Sequence, residues 1–154
     1  MNETNLAKLR DKLATVDRDL FCMKYFRAKG DQYHNEPSCG TTACALGWAP
    51  TIPGMGWEFA TGDKAAAWNN YSRSVMGIDP HGEEGHNIWD FLFAFEWSRY
   101  DNSPLGAAKR IQYVLNGGEI PASVLDLLDA REEFHEADDT LADLIADYEK
   151  MEVS

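Results

Sequence analysis

The run Glu83-Glu84-Gly85-His86-Asn87-Ile88-Trp89-Asp90-Phe91-Leu92-Phe93-Ala94-Phe95-Glu96-Trp97 decides how the rest of the chain is read. Phe91, Phe93, Phe95 and Trp97 alternate, as side chains do along a strand with one buried face. Ile88, Leu92 and Phe95, or Trp89 and Phe93, recur equally well at the spacing of a buried helix. The neighbouring segments decide between the two. Both carry helical patterns, and a lone strand between helices has no partner for its backbone groups, so 83–97 is read as a helix.

Outward from it, Ser103-Pro104 is a strong helix start, a hydroxyl cap followed by proline at the first helical position. Ala107, Ala108, Ile111, Val114 and Leu115 supply that helix's apolar face, and Gly117-Gly118 ends it. Pro121 opens a further helix carrying Val124, Leu125, Leu127 and Leu128, and an acidic last one carries Leu141, Leu144, Ile145 and Tyr148. Upstream, Gly62-Asp63 starts a helix through Trp68, Tyr71 and Val75, stopped by Gly77 and Pro80. At the N-terminus Leu6, Leu9, Leu13 and Val16 follow the cap residue Thr4 at helical spacing. Asp17 or Asp19 then opens a second apolar piece from Leu20 to Phe26. The expectation is an all-α, single-domain helical globule over residues 1–154. It holds five to seven helices and an irregular Pro/Gly-rich segment around 30–60, with room there for a minor hairpin.

Composition bounds the function. The chain has 154 residues, 44% hydrophobic and 12% aromatic, enough to bury a sizeable core. No stretch approaches the ~20 apolar residues of a membrane span, and Met1-Asn2-Glu3-Thr4 lacks the cationic and apolar regions of a secretory signal. A cytoplasmic protein is expected, and its three cysteines, Cys22, Cys39 and Cys44, argue against a disulfide framework. The net charge of −12 is uneven: +1 over residues 1–38, −3 over 39–118 and −10 over 119–154. Such a field repels nucleic acid and attracts basic surfaces, so no nucleic-acid polymer is expected as partner. The acidic segment is either a solvated helical face or a docking surface for a basic protein.

The chemistry-bearing stretch is Cys39-Gly40-Thr41-Thr42-Ala43-Cys44-Ala45-Leu46-Gly47-Trp48, read as a loop feeding a helix N-terminus. Free amides and half a positive charge there favour an anion or a thiolate. Gly40 allows close approach to the backbone, and Thr41 and Thr42 add hydroxyl donors. A phosphate-bearing ligand would suit such a cradle, with Trp48, Trp57 and Trp89 available to stack on a planar group. Lys24, Arg27, Lys64, Arg73, Arg99 and Arg110 are the cations on offer, of which Arg73 and Arg110 are the first choice. A second reading makes Cys39 a nucleophile whose thiol is activated at the cap, with His34 the nearest base and His81, His86 and His135 more distant ones. In a third, plainer reading the glycines mark turns, the threonines cap, and Cys44 and Leu46 are core. A metal site is not expected. Cys39 and Cys44 would stand about 140° apart around a helix axis, and His81 and His86 lack zinc-ligand spacing. His81-Gly82-Glu83-Glu84-Gly85-His86 reads as a solvated loop. No cofactor fingerprint occurs.

The Cys-Gly-Thr-x-x-Cys-x-x-Gly-Trp segment, following a Leu-rich first helix, resembles a pattern found in short bacterial and phage proteins. The run Pro104-Leu105-Gly106-Ala107-Ala108-Lys109-Arg110-Ile111 is similar to a later helix of theirs. The resemblance covers about residues 5–118 and omits the acidic end. It implies a prokaryotic or phage origin, and through that an anti-defence role. It implies no catalytic residues. The expected function is therefore a small acidic non-catalytic binding protein that sequesters a phosphate-bearing small molecule, such as a nucleotide messenger, at 39–48. The alternatives are an inhibitor that docks its 119–154 surface on a basic host protein, and an enzyme with Cys39 as nucleophile.

Overall fold

The computed structural model describes residues 1–23, 28–29, 41–42, 44–56, 65–83, 85–122, 124–130 and 135–153. Within them the chain is helical, and a two-residue ladder is its only sheet. The α-helices are α1 (Glu3–Leu13), α2 (Ala65–Tyr71), α3 (Gly85–Phe93), α4 (Pro104–Leu115), α5 (Val124–Ala130) and α6 (His135–Glu149). Short 3-10 turns occupy Arg18–Leu20, Leu46–Thr51 and Phe95–Arg99, and a π-helical turn, Ser72–Met76, prolongs α2.

α1 and α4 form the frame. Leu6, Leu9 and Leu13 make one stripe, all fully buried, and α1 lies along α4 through them. Burying a leucine fully stabilises by roughly 1.5–3 kcal/mol, so this stripe is a major share of the core. The cap of α1 is Asn2 rather than Thr4: its side-chain oxygen accepts the Asn5 amide at 3.0 Å. Asn2 N–H also donates to the Met76 carbonyl at 2.7 Å, which seats the helix start against the left-handed Gly77 (φ +67°). Asp17 caps the Arg18–Leu20 turn, as its position suggests, by accepting from Asp19 N–H.

α4 begins as its sequence predicts. Ser103 Oγ accepts the Gly106 amide at 3.0 Å and Pro104 occupies the first turn. Ala107, Ala108, Ile111 and Val114 are buried, and Gly117 (φ +76°) turns the chain out. α3 confirms the helical reading of its segment but stops early. Ala94 adopts extended backbone (φ −63°, ψ 138°), and the chain re-enters as the 3-10 turn Phe95–Arg99. That break turns Trp97 inward and leaves Phe95 53% exposed, so Phe95 is not core. Phe91 is the hub, its ring 5.9 Å from Trp97, 5.6 Å from Tyr113 and 6.1 Å from Tyr148. α5 starts at Val124, whose amide donates to Asn87 Oδ1, while Asn87 Nδ2 donates to the Pro121 carbonyl. A side chain of α3 thus caps α5. α6 turns Leu141, Leu144 and Tyr148 inward against α4 and α5.

The 39–48 segment departs from its expected form. Thr41–Thr42 is extended and pairs antiparallel with Ala28–Lys29, Lys29 opposite Thr41 and Ala28 opposite Thr42. The helical turn begins only at Leu46, after Ala45, and no side chain caps it. The threonines are therefore ladder residues, not the first turn of a helix. The minor hairpin is what forms there. The Pro/Gly stretch that follows is also more regular than its composition suggests: the 3-10 turn runs through Pro50 to Thr51.

Candidate functional site

The expected ligand residues that the structure describes stand on separate elements. Cys39, Gly40, His34, Trp57, Lys24, Arg27 and Lys64 lie outside the described residues. Thr41 and Thr42 lie in the ladder, as strand residues rather than the first turn of a helix. Cys44 is buried. Trp48 is half-buried, with Lys12 Nζ 5.9 Å from its ring centroid. Trp89 meets Phe93 edge-on, centroids 6.0 Å apart.

Arg73, the first of the chosen cations, is committed locally. Its Nε donates to Asp79 Oδ1 at 3.0 Å and its Nη1 to Asn70 Oδ1 at 2.9 Å. The same Asp79 oxygen accepts the His81 amide at 2.9 Å. That amide and the guanidinium hold the Asp79 carboxyl below the usual carboxylate range. His86 Nδ1 lies 2.8 Å from the Gly82 carbonyl, and burial raises the carboxyl of Asp90 one turn along α3. His81 and His86 are thus exposed, His81 in the turn after Asp79 and His86 in the first turn of α3. Among the described residues no group of three or more His, Cys, Asp or Glu side chains could hold a metal ion, and no helix is long and apolar enough to cross a membrane.

Arg110, the second cation, is in the core. Its side chain is fully buried, its guanidinium carbon 4.2 Å from the Trp97 ring centroid and 5.4 Å from that of Tyr148. Nη1 donates to Asp101 Oδ2 at 3.3 Å and to Tyr148 Oη at 3.2 Å, and Tyr148 O–H donates to the same Asp101 oxygen at 2.7 Å. Ser103 Oγ donates to the other Asp101 oxygen at 2.6 Å. Burial, foremost, and the neighbouring carboxylate push the Tyr148 phenol well above its ordinary range. Nε and Nη2 of Arg110 are buried without hydrogen-bond partners. Sequence reasoning assigned Arg110 to a ligand. One signal of its burial was legible: it sits three residues after Ala107 and four before Val114, on the apolar stripe of its helix.

The feature that gathers charge is the outer side of the last two helices. On α6, Asp143, Asp147 and Glu149 face outward opposite the buried Leu141, Leu144 and Tyr148. A groove of about 260 Å³ runs between this helix and the turn after α4, lined by Tyr113, Glu119, Pro121, Asp143, Leu144 and Asp147. Its three carboxylates are exposed and its floor is apolar. Burial, then the fields of Asp147 and Glu119, raise the Tyr113 phenol, while its O–H donates to the Glu119 carbonyl at 2.6 Å. Among the described residues two cations stand near it, Lys109, whose Nζ donates to the Glu149 carbonyl at 2.9 Å, and Lys150, 3.5 Å from Asp147 and largely exposed. Such an exposed pair is weak and leaves the surface negative. Cationic groups would be drawn to this surface and anions repelled.

Compared with family models, curated proteins and solved structures, the chain matches none.

Proposed function

We propose that this protein is a non-catalytic binding protein that engages a basic partner protein through the acidic helical surface within residues 119–154. The observation that carries this reading is the exposed pair Asp143 and Asp147, one turn apart on α6 and set across a groove from the exposed Glu119. The whole segment carries a charge of −10. An acidic field of this kind speeds encounter with a cationic surface and favours it over other partners. The resemblance drawn from the 39–48 segment, if it reflects a phage origin, makes a host protein the target and gives an anti-defence role. The phosphate-ligand reading loses its main physical support once Thr41 and Thr42 lie in a strand, away from a helix N-terminus.

The test is binding of a lysine/arginine-rich peptide to the full chain at low and moderate salt. Replacing the groove's three carboxylates, Glu119, Asp143 and Asp147, by lysine is expected to weaken binding at least tenfold. The same charge change at Glu3, Asp11 and Asp19, on the opposite part of the sequence, is expected to weaken it far less. Equal losses from both triple variants would show that only net charge acts, and would overturn the reading.

A further inference from the structure

We propose that α6 is a releasable strap, which opens from α4 while the rest of the fold stays intact, because opening hydrates a guanidinium that the closed state leaves under-bonded. A guanidinium has five N–H groups. In Arg110 the Nη1 end is bonded to Asp101 and Tyr148, while the donors on Nε and Nη2 are buried and have no acceptor. Buried donors without partners carry their full desolvation penalty, more so on a charged group. Stacking on Trp97 recovers part of this. The remainder is a cost borne by the closed state and relieved by water.

The arrangement also selects which element leaves. Asp101 and Ser103 belong to the start of Arg110's own helix, and Asp101 sits over Gly106 so closely that a Cβ there would overlap its carboxylate. Trp97 is anchored by its indole N–H to the Asp90 carbonyl. Only Tyr148 comes to the cluster from a distant part of the sequence, on α6. α6 is held inside by Tyr148, on Arg110 and edge-on to Phe91 and Trp97, and by Leu141, Leu144 and half-buried Ile145; its other described ties to α4 are exposed ones, Lys109 Nζ to the Glu149 carbonyl at 2.9 Å and Asn116 Nδ2 to Met151 Sδ at 3.3 Å. Opening also relieves the repulsion between Glu119 and the carboxylates of α6. It would take apart the groove on which the proposed docking surface is built. That consequence rests on the proposed function, whereas the opening itself does not.

The experiment is native-state hydrogen exchange on the full chain, read helix by helix. In the wild type α6 is expected to exchange through an opening at least tenfold more populated than that of α1 and α4, a gap of about 1.4 kcal/mol or more. This α6 opening exposes Leu141, Leu144 and Tyr148 but not the frame, so it should be clearly less sensitive to sub-denaturing urea than that of α1 and α4. Leu9→Ala weakens the frame in both the closed and the strap-open states, so it should speed exchange in α1 and α4 and leave α6 unchanged. Arg110→Met combined with Asp101→Asn removes the under-bonded donors without leaving a carboxylate unpaired, and should slow α6 severalfold. Exchange of α6 at the same rate and urea dependence as α1, or rising with it in Leu9→Ala, would show one cooperative unit and overturn the proposal. That double variant leaving α6 unchanged or faster would overturn the role of the guanidinium.

Discussion

The two long contacts of α4 are built on opposite principles. Toward α1 it meets three fully buried leucines, Leu6, Leu9 and Leu13, and the polar link there, Arg10 Nη1 to Gln112 Oε1 at 2.6 Å, lies at the edge. Toward α6 it meets Tyr148 through a buried charge, Arg110, balanced by Asp101. The first contact is non-directional and tolerates small shifts. The second needs three groups in register, and it fixes how α6 lies on α4 more than how strongly it is held. One helix thus joins a robust half of the molecule to a conditional one.

Breaking the ionic side should have the largest effect. Asp101→Asn leaves a fully buried guanidinium without its counter-ion and is expected to cost about 3–5 kcal/mol in denaturant unfolding. Combining it with Arg110→Met should restore most of that loss, because no buried charge is then left unpaired. A double variant as unstable as the single one would show that the cluster supplies stability of its own. On the aliphatic side Leu9→Ala is expected to cost roughly 2–5 kcal/mol by lost transfer energy and a residual cavity, and no second substitution at a charged position should rescue it.

The same contrast predicts an alkaline limit. Burial raises the phenols of Tyr71 and Tyr148 above their ordinary value. A raised folded value adds stability that is complete below the ordinary tyrosine pKa of about 10 and is lost as pH climbs from there toward the folded value. Absorbance at the phenolate band should therefore show these two tyrosines ionising only together with unfolding. Early ionisation of Tyr148 alone would separate the α6 contact from the rest of the core. The smallest effect belongs to Ser103→Ala, about 1 kcal/mol for a lost cap, measured as a shift in the unfolding midpoint.

Much of the frame was legible in the sequence because it depends on local rules. The leucine stripe, Ser103-Pro104 and Gly117-Gly118 each act within a turn or two of themselves, and each was found in place. The helix over 83–97 was legible in kind, but not its break at Ala94, which follows from packing Trp97 under Phe91. The Asn87 cap of α5 crosses 37 residues and leaves no local trace. The proposed surface was half legible. Its charge is plain in composition, but which carboxylates face outward depends on which side of α6 meets the core. The 39–48 motif misled because glycine, threonine and cysteine suit a helix cap and a short ladder equally well. Its pairing partner, Ala28–Lys29, lies across an intervening stretch that gives no strand pattern.

Gly106 has a consequence for recognising this chain's relatives. Its missing side chain is the space that the Asp101 carboxylate fills, and that carboxylate is what neutralises Arg110. The four positions in Asp101-x-Ser103-x-x-Gly106-x-x-x-Arg110 are therefore physically coupled rather than four independent choices. A lineage that replaces Gly106 with any larger residue is expected to have changed Asp101 too, and then Arg110 and Tyr148. Divergent members of the lineage should be detectable by that joint pattern where overall identity has faded.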